Sequence, residues 1–392
     1  MRQTDRCGDG RRRTHPGLQP LLIASLCALA LLAPVGASGI APSAQAQSTL
    51  AQSTQAQTAP YAAACVGRDG RQYVCGPHNV EDIDQLPDRP LLVASSFNPP
   101  PSQPRLSLVD IATRTARSLP IDIAARPDPI YAACPAPLDP AKFSPHGLAL
   151  KRTGDGQSLL YVVNHGGRES IEMFAIDART ADIRARWLGC VVLPEGASGN
   201  AVAPMDDGGF VATKFFDTRE GPERPQFLAR RHTSAVYRWS PGKGLSLLPG
   251  GEMVGDNGMV VSKDGAWVYV TSWVEKRVVR LPLRGSAPVL SATVDFMPDN
   301  LRWAPDGSIL IGGQATDIEM LIACKHTRCP ADWGIARLDP QTMAVSYLYW
   351  EKGTPEFAGA TVAAEAGGKL WIGTFFGDRI AVVDIPTAPL HP

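Results

Sequence analysis

The chain has 392 residues with 38 basic and 38 acidic side chains, so its formal net charge is zero at pH 7. It has no basic patch with interleaved aromatic residues, which disfavours nucleic acid or an anionic membrane surface as a partner. After residue 90 it also lacks long segments with the 3.6-residue period of an amphipathic helix, so a helix-rich fold is disfavoured.

The N-terminus has the three parts of a secretory signal peptide. Five arginines precede an apolar stretch over residues 21–37, and an A-x-A cleavage pattern follows at Ala44–Ala46. Pro34 interrupts the short apolar stretch, so a retained membrane anchor is the weaker alternative. We predict a signal peptide over residues 1–46, export to the periplasm or the medium, and no stable membrane span after cleavage. The mature chain keeps 33 basic and 36 acidic residues, a net charge of −3.

Six cysteines remain after removal of the leader, and an even number in an exported protein favours disulfide bonds over metal ligation. Pairing of sequence neighbours would join Cys65 to Cys75, Cys324 to Cys329 and, by remainder, Cys134 to Cys190. This is one of many possible connectivities. No C-x-x-C motif occurs, which disfavours a zinc or redox site.

A recurring unit organises the chain from residue 90 onward. Each unit has an apolar strand, a D-G or G-G turn, a second strand rich in Val, Ile, Tyr and Trp, and a third strand. The turn suits a two-residue hairpin because Gly tolerates positive φ. Five units start at His146, Asn200, Asn257, Asn300 and Gly359, at spacings of 43 to 59 residues that suit four-stranded propeller blades.

A sixth blade is indicated by the strands between Leu91 and Ile121, and strands from both termini usually close the last blade of a propeller. The sequence therefore predicts an all-β, six-bladed β-propeller over residues 79–388, after a low-complexity tether and N-terminal segment over residues 47–78. Seven blades remain possible. A sandwich or an irregular pair of β domains is a further alternative, but regular hairpins at near-equal spacing argue against it.

Oxygen-bearing side chains stand at the starts of these units, where the innermost strands of a propeller converge near one mouth of its channel. Carboxylate and amide oxygens suit calcium or magnesium better than zinc. The alternative is that they are ordinary turn residues, although several stand immediately before a strand and not within the turn. The candidate ligands are Glu81, Asn200, Asn257, Asp299 and Asn300.

Two histidines have a supporting context. His146 opens the strand in FSPHGLAL, and His165 ends the strand in LLYVVNH. If both face the same mouth, they can act as a dyad that activates water as a general base; the alternative is a structural or surface role. No G-x-S-x-G elbow occurs, so a serine-hydrolase interpretation lacks its nucleophile.

These motifs resemble the paraoxonase/arylesterase family of calcium-dependent six-bladed propellers, within a wider group that includes gluconolactonase-type and strictosidine-synthase-like propellers. The likeness rests on FSPHGLAL and LLYVVNHGGRESIEMFAID and runs from about Asn79 to Ile385. It implies that His146 and His165 form the histidine dyad. It also implies one catalytic calcium ion, bound by Glu81, Asn200, Asn257, Asp299 and Asn300.

The resemblance further implies a second, structural calcium, held by the Asp82 carboxylate and the backbone carbonyl of Leu148. The family's third blade usually shows Asn-Asp, one residue for each metal, whereas this chain reads Ser198-Gly199-Asn200. The structural ion thereby loses a carboxylate, and we leave it out of the prediction. The family's cysteine near the C-terminus is also missing, so the six cysteines must pair differently.

The resemblance implies hydrolysis of a small-molecule ester or lactone. Calcium would stabilise the oxyanion, and water would be activated by His146 with His165 behind it, or by a metal-ligating carboxylate. A gluconolactonase- or strictosidine-synthase-like enzyme is one alternative, and the histidine pair argues against the latter. A non-catalytic exported binding propeller is another. The charged insertion over residues 217–232 is a candidate lid or rim.

Overall fold

The computed structural model describes residues 60–154, 156–323 and 330–390. The predicted signal peptide lies outside these residues, as do Cys324 and Cys329. The described part consists of six sheets of four or five strands, in which neighbouring strands are antiparallel apart from one short parallel edge strand. The predicted all-β, six-bladed propeller is therefore confirmed.

The first three blades follow the chain in order. Blade 1 contains β3 (Val80–Gln85), β4 (Leu91–Ser96), β5 (Leu106–Asp110) and β6 (Thr115–Ser118). Blade 2 contains β8 (Pro145–Gly154), β9 (Gln157–Asn164), β10 (Ser170–Asp177) and β11 (Ala185–Val192), with the short β7 (Ile121–Asp122) parallel to β11 at its edge. Blade 3 contains β12 (Ala197–Pro204), β13 (Phe210–Asp217), β14 (Ala235–Ser240) and β15 (Gly244–Leu247).

The remaining blades have the same plan. Blade 4 contains β16 (Asp256–Val261), β17 (Trp267–Ser272), β18 (Arg277–Pro282) and β19 (Leu290–Thr293). Blade 5 contains β20 (Met297–Trp303), β21 (Ile309–Gln314), β22 (Trp333–Leu338) and β23 (Val345–Glu351). Blade 6 contains β24 (Ala360–Ala366), β25 (Lys369–Thr374) and β26 (Arg379–Asp384), together with β1 (Ala63–Val66) and β2 (Gln72–Cys75).

Helices are few and short. Two α-helices span Glu223–Leu228 and Ile318–Ala323, and two 3₁₀ turns span Pro129–Tyr131 and Thr218–Glu220. Among the described residues, none of the helices combines the length and the apolar character needed to cross a membrane.

The hairpin turns that define the repeat have the predicted backbone conformation. Gly265 and Gly307, in the D-G turns of blades 4 and 5, have φ of 64° and 86°. A β-carbon is disfavoured in this left-handed region, whereas Gly adopts it freely. The turns set the register in which the first and second strands of these blades pair.

Strands from both ends of the described chain close blade 6. β2 pairs with β26, and β1 pairs with β2. The sheet therefore extends upstream of residue 79, where the repeats alone placed the start of the propeller. Tyr73 in β2 is fully buried and packs in one cluster with Trp333 of blade 5 and with Phe357, so the closing strand also contributes to the packing between blades.

Two disulfide bonds lie within the described part. Cys65 pairs with Cys75, which joins β1 to β2, and Cys134 pairs with Cys190 across 56 residues. Both bonds match the pairing predicted from the sequence, in which Cys65 joins its neighbour Cys75 and the two cysteines left over, Cys134 and Cys190, join each other.

The closing role of β2 can be tested through Tyr73. Tyr73→Ala removes a fully buried aromatic side chain, and we expect it to lower the free energy of unfolding by about 3–5 kcal/mol. Val66→Ala is the control because Val66 in β1 is 63% exposed, and its effect should stay within about 0.5 kcal/mol. Denaturant unfolding measures both variants. Equal effects would mean that β2 does not close the propeller.

Candidate active site

Each innermost strand is interrupted by a register shift near its start, which leaves one or two residues out of the ladder. The shifts follow Val80, Pro145, Gly199, Asp256, Pro298 and Ala360. Such bulges redirect side chains away from the regular alternation of a strand. The residues inside them are Glu81, His146, Gly147, Asn200, Ala201, Asn257, Gly258, Asp299, Asn300 and Thr361. Five of the six bulges thus contain residues singled out from the sequence.

A cavity of about 600 Å³ lies where these bulges meet. Its polar lining includes the predicted residues Glu81, His146, His165, Asn200, Asn257 and Asp299. Asn300 does not line the cavity, but its Nδ2 donates a hydrogen bond to Glu81 Oε1 at 2.6 Å. The apolar lining includes the aromatic residues Phe97, Phe215, Phe216, Phe227, Trp273, Phe375 and Phe376. An apolar cavity with a few convergent polar groups is typical of a small-molecule site.

Three buried oxygens beside this cavity have no hydrogen-bond partner: Glu81 Oε2, Asn200 Oδ1 and Asn257 Oδ1. Each unpaired buried acceptor costs about 1–3 kcal/mol. The three come from three different blades and border one cavity, which is the arrangement that a hard cation would satisfy. The donor set therefore fits an oxygen-ligated cation such as calcium.

Electrostatics at the site favour a cation as well. Burial raises the pKa of Asp299 well above its ordinary value, and the nearby Glu81 carboxylate raises it further. Gln314 donates a hydrogen bond from Nε2 to Asp299 Oδ2 at 2.7 Å and opposes the shift. Across the described ranges, no group of three or more His, Cys, Asp or Glu side chains is arranged to hold a metal, so a cation here requires the Asn amide oxygens.

The two predicted histidines are in direct contact with each other, and His165 also contacts Glu169. His146 Nδ1 lies 2.7 Å from His165 Nε2, and His165 Nδ1 lies 2.8 Å from Glu169 Oε1. A carboxylate only accepts hydrogen bonds, so His165 carries its proton on Nδ1. His165 Nε2 then accepts from His146 Nδ1, which leaves the lone pair of the His146 ring on Nε2.

His146 Nε2 points to the oxygen ligands. It lies 3.4 Å from Glu81 Oε1 and 3.4 Å from Asn200 Nδ2. Burial lowers the pKa of His146, but the negative charge of Glu81 and the hydrogen bond that Glu81 accepts from the protonated ring outweigh burial, so the pKa is raised overall. His146 therefore connects the histidine chain to the candidate cation site.

Glu169 was missed in the sequence analysis. It also accepts a hydrogen bond from the backbone N–H of Gly199 at 2.6 Å, one residue before the candidate ligand Asn200. Its signal in the sequence is its position four residues after His165, in the turn that joins β9 to β10.

Asn164 was also missed, although it directly precedes His165. Its side chain is fully buried; Oδ1 accepts from the backbone N–H of Ser144 at 3.0 Å and of Gly166 at 2.9 Å. These bonds hold the segment that leads to His146 against the turn that carries His165. Asn164 is thus a positioning residue for the histidine pair.

The remaining predicted residues, Asp82 and Leu148, do not line the cavity. Asp82 Oδ2 lies 2.5 Å from Arg302 Nη2, and the same nitrogen donates to the backbone carbonyl of Leu148 at 2.8 Å. These oxygens already have a cationic partner and do not fit a second metal ion.

The insertion over residues 217–232 lies at the cavity. It contains the helix Glu223–Leu228, and Glu223, Arg224 and Phe227 line the cavity. Asp217 begins it by accepting from the backbone N–H of Arg219. The insertion forms part of the cavity wall, and its role as a lid or rim stays a prediction.

The model of the arylesterase family matches residues 78–381. The chain belongs to the arylesterase family. The matched residues include all strands from β3 to β25, so the resemblance drawn from the histidine motifs is confirmed.

A solved structure has the same fold as this arylesterase-family chain. A gluconolactonase from Xanthomonas campestris has 17% sequence identity and a TM-score of 0.50, over 84% of this chain and 95% of that chain. A luciferin-regenerating enzyme has 10% identity and a TM-score of 0.49, over 80% of this chain and 94% of that chain. None of the curated proteins matches the chain in sequence.

Proposed function

We propose that this arylesterase-family protein is an exported, calcium-dependent hydrolase of carboxylic esters or lactones. The observation that carries the proposal is the meeting, in one cavity, of three unpaired buried oxygens with a His–His–Glu chain. Family membership supports the hydrolase class. The sequence features of the N-terminus support export.

Calcium would be held by the bulge residues of four blades, Glu81, Asn200, Asn257, Asp299 and Asn300. When bound there, it would supply a Lewis acid that polarises the substrate carbonyl and stabilises the oxyanion. Asn300 has a second role, because its Nδ2–H bond fixes one oxygen of Glu81 and leaves Oε2 free.

The histidine chain would move the proton. His146 accepts a proton at Nε2 from the attacking water, and the resulting imidazolium is stabilised by the hydrogen bond from its Nδ1 to His165. Glu169 holds the tautomer of His165 in which Nε2 can accept that bond. The same proton returns to the leaving oxygen when the carbon–oxygen bond breaks.

The aromatic wall indicates the kind of substrate. Seven aromatic side chains line the cavity, whereas its polar groups are mostly the bulge residues and the histidine chain. Aromatic side chains bind apolar and aromatic groups through buried area and ring contacts. We therefore expect substrates with an aryl or aliphatic group to be hydrolysed faster than polyhydroxylated lactones.

Calcium dependence is the first test. Treatment with EGTA should lower phenyl acetate and lactone hydrolysis by at least about 100-fold, since it removes the stabilisation of the oxyanion, and added calcium should restore it. Asn257→Ala should weaken calcium binding in titration calorimetry and lower turnover. Ser246→Ala, in the edge strand β15, is the control and should behave as the wild type. Full activity in EGTA would refute the calcium mechanism.

The role of Glu169 is the second test. Glu169→Gln weakens the bias of the His165 tautomer without removing side-chain volume, so kcat should fall by about 10- to 100-fold while KM and calcium affinity change little. The exposed Glu195 provides the control variant Glu195→Gln. An unchanged kcat, or a loss confined to KM, would show that Glu169 does not act through the histidines.

Export is tested on the full-length chain expressed in a bacterial host with its leader intact. The protein should be recovered outside the cytoplasm, and mass spectrometry should place its new N-terminus after Ala46. Replacing both Ala44 and Ala46 by Arg should block cleavage, because signal peptidases require small residues there. Cytoplasmic protein with an intact N-terminus would contradict the proposal.

A further inference from the structure

Arg302 connects three blades through one buried side chain. It lies on β20, the innermost strand of blade 5, and is 7% exposed. Its guanidinium reaches β3 of blade 1 and β8 of blade 2. A buried arginine is unusual unless its charge and its donors are matched.

Every nitrogen of this guanidinium has an oxygen partner. Nε donates to the carbonyl of Ile83 at 2.7 Å, Nη1 donates to the carbonyl of Leu301 at 2.7 Å, and Nη2 contacts the carbonyl of Leu148 at 2.8 Å and the Asp82 carboxylate at 2.5 Å. The flat guanidinium, with donors in fixed directions, suits such a ring of oxygens.

Two carboxylates lie close to Arg302, the buried Asp82 and the half-buried Asp84. Asp82 is in direct contact with it, and Asp84 interacts with it electrostatically. The same carboxylates accept backbone N–H bonds from blade 2, Asp82 from Leu148 and Asp84 from Leu150, both at 2.8 Å. Blades 1, 2 and 5 are thus joined by a polar cluster in which the guanidinium is paired with carboxylate and carbonyl oxygens.

The guanidinium lies against the oxygens that the family resemblance assigns to a second calcium ion. Calcium binds oxygen at about 2.3–2.6 Å, and Nη2 already lies 2.5 Å from the Asp82 oxygen and 2.8 Å from the Leu148 carbonyl. A cation of that size and Arg302 would overlap and repel each other. The residues therefore do not fit the second ion.

We propose that Arg302 takes the place of a structural calcium ion, so that the cationic link between blades 1, 2 and 5 is part of the polypeptide. The oxygens around Arg302 are hydrogen-bonded, in contrast to the unpaired Glu81 Oε2 at the cavity. The protein then needs external calcium only at the cavity. The link itself does not depend on the proposed function.

The test combines calcium content with thermal stability. Calcium is counted by elemental analysis after dialysis of the wild type and of Asp82→Asn in calcium buffer. Both should hold the same number of ions, one per chain if the proposed catalytic site is correct. Arg302→Met should lower the melting temperature by roughly 10 °C, because it leaves a buried carboxylate unpaired. Arg280→Met is the matched control, since Arg280 lies on β18, the third strand of blade 4, where it covers the Trp267 ring and hydrogen-bonds to the Pro340 carbonyl and to Tyr269.

The outcomes separate this inference from the proposed function. No calcium in either protein would refute the catalytic calcium and leave Arg302 in its role. A second ion in the wild type that is lost in Asp82→Asn would overturn the inference. So would a melting temperature of Arg302→Met that equals that of Arg280→Met. If Arg302→Met fails to fold, the calcium count of Asp82→Asn still decides the question.

Discussion

The interrupted register of the innermost strands is the feature on which the rest of the site depends. A bulge frees a residue from its own sheet, but its direction must then be fixed by another partner. Threonine hydroxyls of neighbouring blades provide that partner: Thr213 donates to the carbonyl of Asn257 at 2.8 Å, Thr271 to that of Asp299 at 2.8 Å, and Thr361 to that of Glu81 at 2.7 Å. Each donor belongs to a different blade from its acceptor, so the site depends on contacts between neighbouring blades.

The polar residues around Arg302 and those at the cavity, both carried by the innermost strands, differ in how their charge is balanced. Around Arg302, carboxylate and carbonyl oxygens are paired with a cation supplied by the chain. At the cavity, oxygens of Glu81, Asn200 and Asn257 are buried without partners. Unpaired buried oxygens lower stability, and their concentration at one cavity is characteristic of a site arranged for a ligand. The paired oxygens around Arg302 stabilise the propeller. The unpaired oxygens at the cavity are available to bind a ligand.

The blade count, the D-G hairpins and the two candidate histidines could be predicted from the sequence, because each rests on local patterns of strand, turn and strand start. Closure by both termini was expected only from the general plan of propellers, and the strands that provide it at the N-terminal side, β1 and β2, lie upstream of the predicted start at residue 79. Glu169, Asn164 and Arg302 could not be predicted. Arg302 bonds to Ile83 across 219 residues and to Leu148 across 154. In the sequence it follows the polar pair Asp299-Asn300 in the same strand, and no periodicity relates it to Asp82.

The sequence by itself determined the secondary structure, the repeat and the family, since turn chemistry, strand alternation and the histidine motifs are encoded over a few residues. The tertiary structure decided which oxygens remain without partners, which tautomer His165 adopts and which group lies against Asp82. These depend on hydrogen-bond partners and on exclusion of water, and both arise only when distant blades close around the same channel.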